Sequence, residues 1–386
     1  MSEAAPAPGG VGRAVAGTRP AAVGEATISR VDVAAYDMPL EQTETDGTLT
    51  WSATTIVIVR VHGGGHLGVG YTYAPAAAAR IVDDTLSPVV AGRDAMAPGG
   101  DWDAMAHAVR NQGFRGPVAA AVSAVDVALW DLNARLLGIP LVVLLDGCHD
   151  SVPAYGSGGF TNFDDHELGR QLEGWVEEGL PAVKIKVGTD PADDPRRVEF
   201  ARHVIGDGLD LFVDGNGAYA RKQALAIAEA FTTHDVTWFE EPVSSDDVAG
   251  LRLLRDRAPA GMEITAGEYG WDITHFRSLL DAGAVDCLQA DVTRCGGITG
   301  LLRASALCEA ANIDLSSHGA PQLSAHVLTS VRRRRHLEYF ADHVRIEARA
   351  FDGVLQPQLG VLRPDHSTPG HGLTVRETDL EPFRVA

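Results

Sequence analysis

The run PAVKIKV, from Pro181 to Val187, carries two lysines two residues apart. Residues two apart on a strand share a face, so Lys184 and Lys186 should emerge together. Neighbouring cations disfavour each other's charged form, and a lysine depressed in this way can act as a base near neutral pH. Taken alone, the run reads more readily as a strand end with two solvated lysines. The downstream residues reverse that. Asp214 in FVDGNG, Glu240 in WFEEP and Glu268 in TAGE each close a short apolar run. Three carboxylates at successive strand ends repel one another unless a counter-ion joins them, and Mg²⁺ suits a few carboxylates plus water and substrate oxygens. Asp291 in LQADVTRCGGITG and His318 in LSSHGAP close the next two runs. As neighbours they would form an acid–base pair in which the aspartate fixes the imidazole tautomer and stabilises its charge. Glu338 in HLEYF comes last, a hydrogen-bond donor if burial keeps it protonated.

Together these groups describe one reaction class. A carboxylate chelated to the metal has its α-carbon between a lysine and a histidine, and the cation stabilises the enediolate left when the α-proton departs.

The elements that must position these groups follow from the rhythm of the chain. After Asp146-Gly147, eight short apolar runs alternate with helical patterns: 152–155, 182–187, 211–213, 237–239, 263–266, 285–288, 313–316 and 336–340. Spacings of roughly 25 to 30 residues are those of a (β/α)8 barrel, whose active site lies at the C-terminal ends of its strands. The first ~150 residues read as an α+β capping domain, strands before helices. Strands are expected over 27–33 and 54–61, with a polar, mobile loop over 40–51 between them. Helices are expected over 76–90, stopped by Pro88, over 101–109, and over 118–137 before Gly138-Ile139-Pro140. The division is then a disordered tail over 1–25, a cap over 26–150, a barrel over 151–350 and a C-terminal segment over 351–386 that returns to the cap.

Of 386 residues, 45% are hydrophobic and 22% charged, with a formal net charge of -20. This is a soluble globular balance, and its acidity argues against a nucleic-acid or membrane-surface partner while leaving a metal-bound anionic substrate open. Cys148, Cys287, Cys295 and Cys308 form no C-x-x-C pair, which suits a reducing cytoplasm. The Ala-, Pro- and Gly-rich start lacks the apolar core of a signal peptide.

With these motifs in hand, the chain resembles the enolase superfamily, and within it the mandelate racemase subgroup, from about Ala26 to the C-terminus. The run AAVSAVDVALWDLNARLLGIPL resembles the superfamily's capping helix, and the K-x-K, D-x-N, E-E-P, G-E, D…GGITG and H-G-A-P elements are specific as a set. The resemblance implies that Asp214, Glu240 and Glu268 ligate Mg²⁺ and that Lys186 and His318, with Asp291, face opposite sides of the α-carbon. It further implies that Lys184 contacts the substrate carboxylate and that Asn216 contacts substrate or the metal's surroundings. Glu338 resembles the electrophilic glutamate, Glu241 stands behind the ligands, and the chain forms a homo-oligomer.

Other features are read more plainly. GGITG lacks the Gly-Lys-Ser/Thr of a phosphate loop and opens a helix. Arg332 to Arg335 read as a solvated helix end. Gly156 to Gly159 lines the site floor, Cys295 takes a core or turn role, and His62, His66 and Tyr73 are candidates to reach the substrate from the cap. The leading functional expectation is dehydration of an acid sugar to a 2-keto-3-deoxy acid, a hydro-lyase reaction. The alternatives are racemisation or epimerisation of a 2-hydroxy acid, and a non-catalytic barrel that binds a carboxylate.

Overall fold

The computed structural model describes residues 26–386. The tail expected over residues 1–25 lies outside the described residues. The chain opens with an antiparallel sheet of β1 (Ile28–Thr45), β2 (Thr50–Gly63) and β3 (His66–Tyr73). Polar residues 40–45, expected in a mobile loop, extend β1 instead, and pairing continues past an irregularity between Pro39 and Glu44 to Thr45 opposite Thr50. The turn is only 46–49, where Asp46 Oδ1 accepts from the backbone of Thr48 (2.6 Å) and Leu49 (2.7 Å). This ladder is completed by the barrel. Thr45 O accepts from Thr161 N at 2.7 Å, Asp46 O from Thr189 Oγ1 at 2.8 Å, and Asn162 bonds Thr43 O and Thr45 N.

Strand β3 was not expected, because its glycines weaken the strand pattern. They serve a close approach: a Cβ on Gly68 would lie 2.1 Å from Ala128 O, and one on Gly70 2.2 Å from Ala124 O. Both carbonyls belong to the long helix Pro117–Leu137, which is buried along most of its length between cap sheet and barrel. The 76–90 helix is not stopped by Pro88. It widens over Val82–Leu86 and resumes over Ser87–Val90; the wide turn accommodates a residue with no N–H to close an ordinary one.

Eight parallel strands follow: β4 (Val152–Gly158), β5 (Ala182–Lys186), β6 (Asp210–Asp214), β7 (Val236–Glu240), β8 (Glu263–Ala266), β9 (Cys287–Ala290), β10 (Asp314–Ser317) and β11 (Arg334–Phe340). They are hydrogen-bonded in sequence order, and β11 pairs with β4 to close the barrel. Helices follow the strands, including Ala341–Ala350 after β11, which was not expected. The barrel interior below the site is filled by Tyr155, Ala182, Phe212, Trp238 and Cys287.

Gly296 and Gly297 seat the helix Gly297–Ala311 against the capping helix. Ser123 Oγ accepts from Gly296 N at 2.9 Å, and the buried Asp126 carboxylate accepts from Thr299 N and Oγ1 at that helix's N-terminus. The arginine run is not a solvated helix end. The helix stops at Leu328, and Arg333 and Arg335 pair with Asp314 and Glu263 at the opposite end of the barrel from the site. The last residues return to the cap, where Ala35 exchanges backbone bonds with Val385 and Ala386. No helix among the described residues is long and apolar enough to cross a membrane.

Candidate active site

Sheet register lines up the strand-end residues. Lys186 lies opposite Asp214, and Asp214 opposite Glu240, across three adjacent strands. Glu268 sits two residues past β8, Asp291 one past β9, His318 one past β10, and Glu338 within β11. Asp214, Glu240, Asp291 and Glu338 are enclosed, and Glu268, Lys186 and His318 are nearly so. Backbone of unusual sign frames the set: Asn216, Glu241 and Ala320 have φ of 45°, 37° and 41°. Such conformations cost of order 1–3 kcal/mol each for residues with a Cβ, and the packed surroundings impose them.

Neither lysine is held below the ordinary lysine range by its neighbour. Lys184 Nζ donates to Glu240 Oε2 at 2.5 Å and Glu338 Oε1 at 2.8 Å, and Lys186 Nζ donates to Asp214 Oδ2 at 2.5 Å. Burial disfavours both ammonium charges, but the carboxylates outweigh it, and both pKa values rise above the ordinary lysine range. Lys184 does lower the Lys186 pKa, but by less than Asp214 raises it. Lys184 is fully buried and is not among the residues that line the cavity.

His318 Nδ1 lies 2.8 Å from Asp291 Oδ2, and its Nε2 lies 2.7 Å from Glu268 Oε2. Asp291 is itself oriented by Thr293, whose N and Oγ1 donate to Oδ1 at 2.7 Å. Burial works against the imidazolium, but Glu268 and then Glu338 raise the His318 pKa to about 10. Glu338 departs from expectation. Burial alone would raise its carboxyl, yet Lys184, His318 and Lys186 hold it below the usual carboxylate range. It therefore accepts rather than donates, from Ser157 Oγ at 2.6 Å and Gly319 N at 2.8 Å. Ser157, in β4, is the member of the run Gly156–Gly159 that reaches the site, through that bond.

Above this set lies a cavity of about 410 Å³, lined by Lys186, Asn216, Glu268 and His318 from the barrel and by Asp46, Trp51, Thr54 and Tyr73 from the cap. Of the three cap candidates only Tyr73 lines it; His62 pairs with Asp32 on the cap surface. Arg294, Tyr269, Asp342 and His343 also line it and were not singled out from the sequence. Arg294 had a legible signal, three residues beyond Asp291. His343 had none, because nothing local marks which face of the last helix meets the mouth. A larger hollow of about 530 Å³ outside the barrel mouth contains Asp164, Asp165, Asp190 and Asp193. Its acids are engaged in helix capping, backbone turns and Arg196 ion pairs, and it does not include the strand-end set.

Among the described residues no three His, Cys, Asp or Glu side chains stand in a metal's ligand geometry. The reason is that Asp214, Glu240 and Glu268 each close on a basic group: Lys186, Lys184 and His318. The donor set nevertheless suits a hard cation. Glu240 Oε1, Glu241 Oε1 and Asn216 Oδ1 are buried oxygens with no hydrogen-bond partner. Six carboxyl groups (Asp214, Glu240, Glu241, Glu268, Asp291 and Glu338) face four basic ones (Lys184, Lys186, Arg294 and His318), two positive charges short. Burial and neighbouring carboxylates raise Glu240 and Glu241 accordingly. A divalent cation with oxygen ligands matches both the orphaned oxygens and the deficit.

Comparison with known proteins places this arrangement. Residues 25–146 match the mandelate racemase/muconate lactonizing enzyme N-terminal domain, and residues 167–379 match the enolase C-terminal domain-like family. The chain is 33% identical over 356 residues to a 3,6-anhydro-alpha-L-galactonate cycloisomerase of Streptomyces coelicolor, covering 90% of this chain and 97% of that one. It is 32% identical to an L-rhamnonate dehydratase of Saccharopolyspora erythraea, covering 81% and 78%. Among solved structures, a mandelate racemase/muconate lactonizing enzyme-like protein of Rubrobacter xylanophilus superposes with a TM-score of 0.91 at 50% identity, covering 93% and 100%. An enolase of Bradyrhizobium, complexed with magnesium and mandelic acid, superposes with a TM-score of 0.85 at 29% identity, covering 93% and 99%. The curated relatives are thus acid sugar dehydratases and cycloisomerases. With both family domains matched in order and the strand-end groups gathered at one mouth, the chain belongs to the mandelate racemase/muconate lactonizing enzyme family of the enolase superfamily.

Proposed function

We propose that this protein removes the proton α to the carboxylate of an acid sugar and expels the β-hydroxyl as water, giving a 2-keto-3-deoxy acid. The observation that carries the reading is that Lys186 and His318 open into one cavity above Asp214, Glu240 and Glu268. Their strands, β5 and β10, are three apart one way round the barrel and five the other, so the two groups approach a bound α-carbon from different sides. Lys186 or His318 in its neutral form, according to the substrate's configuration, takes the C2 proton, and His318 as imidazolium delivers a proton to the departing C3 oxygen. The C2–H and C3–O bonds break, and the enol formed tautomerises to the ketone. Asp291 holds His318 by Nδ1 and supports its charge. We assign Lys184 to holding Glu240 and Glu338 in place beneath the cavity, and Glu338 to fixing the Gly319 backbone behind His318. Asn216 borders the cavity and adds an oxygen toward substrate or cation.

Asp214, Glu240 and Glu268 would hold Mg²⁺, which when bound supplies positive charge to the substrate carboxylate and the enediolate and competes with Lys186 and His318 for those ligands. A second reading is cycloisomerisation, in which the departing oxygen stays tethered to the substrate; the 33% identical cycloisomerase supports it. Racemisation or epimerisation uses the same two bases without loss of an oxygen. Incubation with Mg²⁺ and acid sugars in D2O, followed by proton NMR, separates the three. Loss of the C2 proton with a new methylene signal and release of water supports dehydration. An isomeric product formed without loss of water supports cycloisomerisation, and C2 deuteration of an intact skeleton supports the racemase reading. Neither loss nor exchange of the C2 proton in any substrate refutes all three.

A further inference from the structure

His343 is buried, on the helix Ala341–Ala350 that follows β11, and it lines the cavity near His318. Its ring stacks on Tyr73 from the cap, with centroids 3.6 Å apart and planes 7° apart. The backbone N–H of Ala320 donates to His343 Nδ1 at 3.0 Å. A backbone amide can only donate, so Nδ1 must accept, and the ring proton of neutral His343 must sit on Nε2. The ring stays neutral because burial, and then the His318 and Arg294 cations, push its pKa down to about 3. Among the described residues nothing accepts from Nε2, yet Nε2 is not one of the enclosed, unpartnered atoms. An accessible donor on a buried ring that lines a cavity opens to that cavity.

An acceptor that lines the same cavity is Asp342. Its Oδ2 accepts from Thr54 Oγ1 at 2.5 Å and its Oδ1 from Arg345 at 2.6 Å, which leaves each oxygen a second lone pair. Asp46 lines the same cap-facing wall. A neutral N–H donor beside carboxylate acceptors complements a hydroxyl, which both accepts and donates. It does not complement a second carboxylate, which would meet Asp342 and Asp46 as like charges.

We propose that His343 is a substrate-positioning residue whose Nε2–H donates to a hydroxyl of the acid sugar beyond the reacting carbons, with Asp342 as the matching acceptor. This rests on the α-proton reading above and narrows its substrate to a polyhydroxylated acid that presents a hydroxyl, not a carboxylate, to the cap.

The test separates this role from support of the Ala320 backbone. In His343→Asn the amide oxygen replaces the Nδ1 acceptor, and the donor at Nε2 is lost. In His343→Gln the amide nitrogen replaces the Nε2 donor, and the acceptor for Ala320 is lost. Steady-state loss or exchange of the C2 proton in D2O with Mg²⁺ is followed for D-gluconate and L-rhamnonate, which carry distal hydroxyls, and for mandelate, which carries none. The loss of one neutral hydrogen bond is expected to lower the preference of His343→Asn for the sugar acids over mandelate about three- to tenfold, through KM rather than kcat. His343→Gln is expected to keep that preference. If His343→Asn keeps the wild-type preference while His343→Gln loses activity on every acid alike, the ring is only a prop for Ala320 and the proposal is overturned. Absence of both loss and exchange of the C2 proton by the wild-type protein with all three acids would instead overturn the α-proton reading on which it rests.

Discussion

Replacing Gly47 with alanine should loosen the cap from the barrel mouth without unfolding either part. Gly47 sits at the β1–β2 turn, where a Cβ would lie 2.5 Å from Gly215 O and 2.7 Å from Val187 O. Ordinary contact begins near 3.4 Å, and both atoms are backbone at the ends of β6 and β5, so the turn must retreat by about 0.9 Å. That displacement stretches the bonds from Thr161 N to Thr45 O (2.7 Å), Thr189 Oγ1 to Asp46 O (2.8 Å) and Thr161 Oγ1 to Asp46 O (3.1 Å) beyond useful range. At about 0.5–1.5 kcal/mol net for each hydrogen bond, the docked turn loses on the order of 2 kcal/mol. Hydrogen exchange of the Thr161 amide should accelerate about thirtyfold, with the global denaturation midpoint nearly unchanged. Because Asp46, Leu49 and Trp51 line the cavity, C2-proton exchange on an acid sugar should fall roughly 10- to 100-fold. Wild-type protection at Thr161 together with wild-type turnover would refute the docking argument.

Three further outcomes are expected. Lys186→Ala should reduce C2-proton exchange by about 10²- to 10⁴-fold while Mg²⁺ binding, followed calorimetrically, persists; comparable turnover would remove Lys186 from the base role. Lys184→Met should destabilise the fold by about 3–5 kcal/mol in urea titration, because Glu240 and Glu338 lose their shared buried partner; a loss below about 1 kcal/mol would count against that network. His326, buried and away from the site, has its pKa pushed down by burial, and then by His371, to about 3. Its unfolded form takes a proton below about pH 6.5 and the folded form does not, so its contribution to stability is present above that pH and is lost as pH falls toward 3. His326→Leu should therefore make the dependence of unfolding free energy on pH, between 4.5 and 6, shallower by about 1.4 kcal/mol per pH unit, and an unchanged slope would mean the ring titrates normally.

The eight barrel strands and the positions of Lys186, Asp214, Glu240, Glu268, Asp291 and His318 at or just past strand ends were legible in the chain, because period and turn chemistry are local properties. Sheet register then carried Lys186, Asp214 and Glu240 into one row without further information. What local pattern could not supply was the partner of each group. The pKa values of Lys184 and Lys186 rise because carboxylates from β6, β7 and β11 close on them, and Glu338 stays ionised because Lys184 and His318 face it. Residues 40–45 have a loop's composition, yet they form a strand because Thr161 and Asn162, more than a hundred positions away, receive them. Strand β3 carries glycines that weaken its local pattern, and it needs two of them because the capping helix packs directly on it. The sequence by itself determined which groups stand at the mouth, since a strand end follows from nearby residues. Only the tertiary structure decided their charge, their reach and the wall that faces the substrate, because Coulomb and packing energies depend on distances between segments that the order of residues does not contain.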